Sequence, residues 1–284
     1  MLTEEEEDIR RHWPLVDAAD RKEVTSYCQN RVFELDANDA TATNQVDGVW
    51  VRKWSDRARL IIKSRCCSRG FLDRQRGQLN RHSSTASRLS HRLACSLGIQ
   101  NGLALQSFDI STAFLQGLRF QDLERKAREL GYEVNTKRSI YFAPPANFWR
   151  HLRAIDPTIR KQLHDTAVEW EYLYWVLKLL KAIYGLVDGP IMFQLALLHF
   201  LTHELRLVKS IHDHNFLYRA SGWSLKDAHL ICIVLIHVDD LLVWADPNFC
   251  KWFQNLMERR FGTMKKSKPP LVFTGITHED QRWF

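Results

Sequence analysis

The pattern of apolar and polar positions along the chain predicts helices and short strands in irregular succession. Helical spacing of apolar residues is found over 8–24, 84–98, 122–130 and 190–205. Short apolar or alternating runs, typical of strands, are found at 49–51, 60–62, 103–110 and 140–142. A long amphipathic pattern covers 160–183. Because strands and helices do not alternate regularly as in βαβ units, the α+β class is expected.

Two apolar runs in the last quarter of the chain, Leu230–Ile236 and Leu241–Ala245, flank the four residues His237–Asp240. This arrangement predicts a β-hairpin with buried strands and with two adjacent carboxylates, Asp239 and Asp240, at its tip. Adjacent carboxylates beside a core repel each other unless water or a cation compensates them. The tip is therefore a candidate metal site, although a ligand-free acidic turn has the same residue pattern.

A third carboxylate, Asp109, stands at the end of the predicted strand 103–110. Taken alone, such a residue commonly caps the following turn. Together with the hairpin it would complete an oxygen-rich site for two Mg²⁺ ions, with Mn²⁺ as a possible substitute. In such a site one ion activates an attacking 3′-hydroxyl and the other stabilises the leaving pyrophosphate.

The positive charge of the chain is concentrated in one window. The net charge is +7, but residues 52–92 alone hold twelve Lys and Arg against Asp56 and Asp73, an excess of ten. Such a run is either a solvated face or a surface that binds a polyanion.

Cysteine usage and the N-terminal residues indicate an intracellular protein. The six cysteines form no C-x-x-C pair and have no histidine at finger-like spacing, so neither zinc nor a disulfide framework is indicated. The acidic run Glu4–Asp8 is opposite in sign to the start of a secretory signal. Apolar stretches such as Leu230–Ile236 are far shorter than the roughly 20 residues of a membrane helix. No membrane association is expected.

The nine residues Asp109–Gly117, DISTAFLQG, resemble the D-[VI]-x-T-A-F-L-x-G signature of copia-type LTR retrotransposon reverse transcriptases. His237–Asp240 is similar to the aromatic-V-D-D hairpin of that family, and Ile183–Phe193 is similar to its L-Y-G-L-x-x-x-P-x-x-[WF] loop. Lys63–Phe71 is similar to the basic fingers motif. After the hairpin, FGTMK at 261–265 and FTGI at 273–276 resemble the F-x-M-K and F-L-G-I stretch. The resemblance keeps the family's order and covers residues 20–280.

The resemblance implies a right-hand polymerase of fingers and palm over residues 48–284, after a leader and linker at residues 1–47. An antiparallel palm sheet would be flanked by helices, and the thumb would be largely missing. The implied activity is that of an RNA-directed DNA polymerase, which joins dNTPs to a primer 3′-hydroxyl on an RNA or DNA template. The location would be a cytoplasmic particle or the nucleus. RNase H and integrase domains, which accompany the family's polymerase, are not recognisable in this sequence.

The resemblance also assigns roles to individual residues. It assigns metal binding to Asp109, Asp239 and Asp240, with the carbonyl of Ile110 as a backbone ligand. The residues that would contact the incoming dNTP are Lys63, Arg65, Phe114, Tyr184 and Gly185. Those that would contact primer and template are His237, Lys265 and Lys266. For Phe114, whose ring would exclude a 2′-hydroxyl, and for Tyr184, packing in the core is the alternative interpretation.

The chain departs from the family's pattern at three places. His237 replaces a tyrosine, Val187-Asp188 replaces Lys-Gln, and Cys66-Cys67 replaces Leu-Val. None of these changes removes an expected metal ligand. The alternatives are an inactive remnant of such an element that binds nucleic acid through residues 52–92, and a different palm-type nucleotidyl transferase or cyclase.

Overall fold

The computed structural model describes residues 3–37, 44–79, 83–134, 137–163, 175–222 and 228–279. The chain divides into two compact units, of which the first comprises residues 1–81 and 114–192 and the second residues 82–113 and 193–284. Each unit has its own β-sheet with helices packed on it. The α+β class predicted from the sequence is confirmed.

The elements of the described residues follow in chain order. The helices are α1 Glu4–Arg11, α2 Trp13–Gln29, α3 Arg88–Gln100, α4 Leu123–Glu129, α5 Ala146–Ile155, α6 Pro157–Gln162, α7 Gly189–His199 and α8 Pro247–Phe261. The strands are β1 Phe33–Ala37, β2 Gln45–Asp56, β3 Ile61–Ser68, β4 Ala104–Ile110, β5 Tyr141–Ala143, β6 Trp175–Leu179, β7 Val208–Lys209, β8 Phe216–Ser221, β9 His229–His237, β10 Asp240–Ala245, β11 Met264–Ser267, β12 Leu271–Phe273 and β13 Ile276–His278.

The sheet of the first unit has the order β1-β6-β5-β2-β3. Its strand pairs are antiparallel apart from β2 and β5, which run parallel. Alternate residues of β3 are buried, and helix α2 packs on that face, where the Tyr27 hydroxyl donates to the Cys66 carbonyl. Residues 3–37, assigned above to a leader, form α1, α2 and β1 and belong to this unit.

One segment of the first unit differs from the sequence pattern. Residues 160–183 have a long amphipathic pattern, but Trp175–Leu179 is strand β6, paired with β1 and β5. Its alternate residues Leu177 and Leu179 are buried in the core, together with Val176. Long-range pairing with two neighbouring strands therefore determines the conformation here. Residues 164–174 of the pattern lie outside the described residues.

Glu23 on α2 is a buried carboxyl group beneath β3, and we expect it to make stability depend on pH. Burial raises its pKa from 4.5 to about 7, opposed by the Cys66 N–H donated to its Oε1 at 3.3 Å and by Arg65 and Lys63. Between these two pKa values the folded state binds more protons than the unfolded state, so the free energy of unfolding falls as pH rises. For this shift the total fall is about 3 kcal/mol. Glu23→Gln keeps an acceptor but cannot ionise. In this variant the free energy of unfolding, measured with urea, should therefore no longer fall by this amount across the same pH range. An unchanged pH slope in the variant would contradict this assignment.

The sheet of the second unit is antiparallel throughout, with the order β11-β4-β10-β9-β8-β7. Helix α8 covers one face, where Phe108 meets Phe253 with ring centroids 5.8 Å apart. Helix α3 covers the other face so closely that a Cβ on Gly98 would lie 2.2 Å from the Trp244 ring. The hairpin predicted from the two apolar runs is confirmed as β9 and β10, and the strand predicted at 103–110 is confirmed as β4.

Among the described residues, no helix combines the length and the apolar character needed to cross a bilayer.

Candidate functional site

A row of four polar residues crosses the end of the second unit's sheet. Lys265 on β11 pairs with Asp109 on β4, Asp109 pairs with Asp240 on β10, and Asp240 pairs with His237 on β9. Directly opposed residues of antiparallel strands point to the same face, with Cβ atoms about 5 Å apart. The row therefore lies on one face of the sheet, as an extension of the buried cluster that includes Leu105, Leu242 and Trp244.

Asp239 lies beside this row in a two-residue turn between β9 and β10. Its carbonyl accepts the N–H of Ile110 at 3.2 Å, which ties the turn to the end of β4. Two chain segments, around residues 109 and 239, therefore bring three carboxylates to one end of the sheet.

The backbone at this end is strained. Val238 has φ +56° in the turn, and Thr112, just after β4, has φ +54°. Both residues are β-branched, and such residues rarely adopt positive φ, at a cost of about 1–3 kcal/mol each. An ordinary surface turn would have glycine or asparagine at the position of Val238. Strain of this kind is typical of functional sites.

The electrostatics of the row indicate an incompletely compensated negative charge. Asp240 is half-buried, and its pKa is raised from 3.8 to about 6, first by burial and then by the charges of Asp239 and Asp109, while His237 opposes the shift. A cation bound to the carboxylates would offset the free-energy cost of ionising Asp240 beside Asp239 and Asp109, since it favours the ionised form.

The donor set fits Mg²⁺. Hard divalent cations prefer carboxylate oxygens and keep several waters, and Asp109 is exposed while Asp239 and Asp240 are half-exposed. The arrangement leaves the carboxylates accessible to phosphate oxygens as well. Ile110, expected to offer its carbonyl, has a buried side chain and uses its N–H in the bond to Asp239.

The structure separates the two lysines that the resemblance assigns to primer and template. Lys265 lies in the carboxylate row, whereas its neighbour Lys266 points to the opposite face, 5.8 Å from the Phe108 ring centroid. Lys266 also donates to Gln254 of α8. Of the two, Lys265 alone shares a face with Asp109.

His237 lines a cleft of about 420 Å³ in the second unit. Arg88 and Arg92 of α3 and the turn between β12 and β13 form other parts of its wall. The His237 ring meets the Phe273 ring edge-on, with centroids 6.1 Å apart. The cleft thus places basic groups close to the end of the carboxylate row.

In the first unit, the loop 184–188 is joined to the end of β3 by its backbone. The Tyr184 carbonyl accepts the Ser68 N–H at 2.7 Å and the Ser68 hydroxyl at 3.1 Å. Gly185 has φ +90°, and a Cβ there would lie 2.0 Å from the Ser68 carbonyl oxygen. A Cβ on Gly70 would likewise lie 2.0 Å from the Gly185 carbonyl oxygen. Both glycines are required by this close approach of two backbone segments.

The side chains assigned to the dNTP lie around this loop. The Arg65 guanidinium is 4.8 Å from the Tyr184 ring centroid, and its Nε is buried with no hydrogen-bond partner among the described residues. Lys63 is exposed on the same face of β3. The half-buried ring of Phe114 lies 5.7 Å from that of Tyr184, which is buried.

A buried ion network in the first unit was not predicted from the sequence. Arg138 donates to Asp73 at 2.7 Å and to Asp188 at 2.8 Å, and all three side chains are almost completely buried. Asp188 belongs to the loop 184–188, at a place where the chain departs from the pattern of the family that it resembles. The network therefore fastens the loop at a second point, in addition to its link to Ser68.

The basic window is partly neutralised by acidic residues from outside it. Arg52 forms a bidentate pair with buried Asp20, Arg57 lies 3.1 Å from Asp8 and Arg69 lies 3.4 Å from Asp47. Counting charges within the window overestimates its positive potential, because these partners come from α1, α2 and β2.

Comparisons with known proteins give limited similarity. No protein-family model and no curated protein matches the chain. Among solved structures, telomerase from Candida albicans in complex with the TWJ fragment of telomeric RNA is similar at 14% identity and TM-score 0.43, covering 90% of this chain and 47% of that one. Apo telomerase from Candida tropicalis is similar at 9% identity and TM-score 0.44, and the match covers 94% of this chain and 52% of that one. The chain thus spans about half the length of these structures.

Proposed function

We propose that the chain is the fingers and palm region of an RNA-directed DNA polymerase of the copia retrotransposon type. One observation carries the proposal: Asp109, Asp239 and Asp240, from two distant motifs, meet at one end of an antiparallel sheet on a strained turn. An acidic turn without a ligand accounts for neither the third carboxylate nor the positive φ of Val238.

In this proposal the three carboxylates hold Mg²⁺, and Mn²⁺ would serve in its place. The bound metal would lower the pKa of the primer 3′-hydroxyl and neutralise the pyrophosphate leaving group. The family resemblance implies that Asp109 and Asp239 matter most among the three. In this proposal Lys265 and His237, at the two ends of the row, contact primer and template.

The nucleotide contacts are assigned to the first unit. Lys63 and Arg65 bind the triphosphate, where fixed positive charge stabilises the negative charge that develops on the leaving group. The Nε of Arg65, which has no acceptor among the described residues, supports this role, because a buried donor without an acceptor is costly unless a ligand supplies one. Gly185 lies beneath the nucleotide, supported by the buried ring of Tyr184.

The test is a primer-extension assay with an RNA template, Mg²⁺ and labelled dNTPs, alongside a filter-binding assay of the same duplex. The proposal predicts extension that chelation of Mg²⁺ abolishes. Tight binding without extension under any metal would instead identify an inactive nucleic-acid-binding remnant.

Phe114 gives a separate prediction about sugar selection. An aromatic ring beneath the sugar excludes a 2′-hydroxyl by steric clash, so Phe114→Val should raise the incorporation of ribonucleotides relative to deoxynucleotides. The measurement is kcat/KM for matched rNTP and dNTP pairs, together with thermal melts. Phe33→Val, which truncates another half-buried phenylalanine of the same unit, serves as the control. An unchanged ratio with a lowered Tm would show that Phe114 only packs in the core.

A further inference from the structure

Outside the carboxylate row, three potential metal ligands converge in the second unit. His91 and Cys95 are four residues apart on α3 and therefore lie on the same side of the helix. His278 ends β13. One ligand atom from each of the three side chains lies within 4.8 Å of the others.

The two imidazoles already point at each other. The Nε2 atoms of His91 and His278 are 3.0 Å apart. A tetrahedral zinc ion with Zn–N bonds of about 2.0 Å separates two nitrogens by about 3.3 Å. Admitting the ion therefore requires these rings to part by only a few tenths of an ångström.

The composition of the cluster favours zinc over other cations. Two imidazoles and one thiolate are the borderline-soft ligands that Zn²⁺ prefers, while Mg²⁺ and Ca²⁺ prefer oxygen. His91 also lines the 420 Å³ cleft, which gives an ion a route from solvent. Cys95 is only half-buried, so an ion can approach its thiol without unfolding of the helix.

We propose that His91, Cys95 and His278 bind a zinc ion that fastens the β12–β13 hairpin to α3. The hairpin has two short strands, and an isolated pair of this size is marginally stable. Its residues Leu271 and Phe273 pack on the same buried cluster as Ala94 of α3. The ion adds a link at the end of the hairpin, where His278 is paired with Leu271. This site is independent of the proposed polymerase function.

Cobalt provides the direct test, since Co²⁺ replaces Zn²⁺ and reports sulfur ligation by a thiolate charge-transfer band in the near ultraviolet. The full chain is reduced, stripped of metal with a chelator and titrated with Co²⁺ and then Zn²⁺. We expect a thiolate band that saturates at one equivalent of Co²⁺ in the cysteine site and is displaced by Zn²⁺. Zinc at about a hundred times its Kd should raise Tm by about 5 °C or more. The carboxylate row cannot produce this band, because it contains no sulfur.

Variants locate the site. Cys95→Ser and His278→Gln should both lose the thiolate band and the zinc-dependent rise in Tm, whereas Cys28→Ser, a half-buried cysteine of the first unit, should keep both. Cys95→Ser is nearly isosteric, so it tests the assignment even if His278→Gln fails to fold. Absence of the band in the wild-type protein, or its persistence in Cys95→Ser, would overturn the proposal and leave the histidines as a hydrogen-bonded pair in the core.

Discussion

Replacing Asp239 with asparagine should abolish primer extension while leaving the fold and duplex binding nearly unchanged. The residue lies half-exposed in a turn, so the change removes a ligand charge and no core volume. Metal ions contribute several kcal/mol of charge stabilisation in such reactions, which corresponds to a loss of about a thousandfold or more in rate. Single-turnover extension, with circular dichroism and filter binding on the same samples, measures all three properties.

The matched control for this variant is Glu258→Gln, which removes one negative charge from α8 in the same unit. It should extend primers at nearly the wild-type rate. If Asp239→Asn extends primers as well as Glu258→Gln does, the carboxylate row is not the metal site.

Arg138→Met should strongly destabilise the first unit. It leaves Asp73 and Asp188 buried without their arginine, and breaking a buried pair in this way costs about 3–5 kcal/mol. Since Asp188 lies in the same loop as Tyr184 and Gly185, local opening of this loop should increase as well. Chemical denaturation measures the first effect and hydrogen exchange of the loop amides measures the second.

Arg125→Met is the control for the loss of an arginine on the surface. Its guanidinium pairs with Glu129 and Asp122 on and beside α4 while remaining largely exposed. Such exposed pairs contribute little to stability, because water screens both charges. Equal effects of the two substitutions would show that the Arg138 network contributes no more than a surface pair.

The elements of the second unit could be predicted because their patterns are local. Two apolar runs around a polar tip define β9 and β10, and an apolar run ending at Asp109 defines β4. The pairing of Asp109 with Asp240 is different, since nothing in the spacing of either motif specifies the register of β4 against β10. The family resemblance implied that the two motifs meet, and the structure gives the geometry.

Features that depend on residues far apart in sequence could not be predicted. His91 and His278 are separated by 187 positions, so the cluster with Cys95 has no motif and the cysteine spacing indicated no zinc. Arg138 meets Asp73 across 65 residues and Asp188 across 50. The partners of Arg52 and Arg57 likewise come from helices outside the basic window. Ion pairs of this kind follow from tertiary packing and not from local patterning.

Single-nucleotide incorporation opposite each of the four RNA template bases distinguishes templated DNA synthesis from other nucleotidyl transfer. With Mg²⁺, we expect the wild-type protein to add only the complementary dNTP to the primer, and Asp109→Asn to add none while binding the duplex with similar affinity. Addition that ignores the template base, or extension that persists in Asp109→Asn, would contradict the assignment of the carboxylate row to templated DNA synthesis.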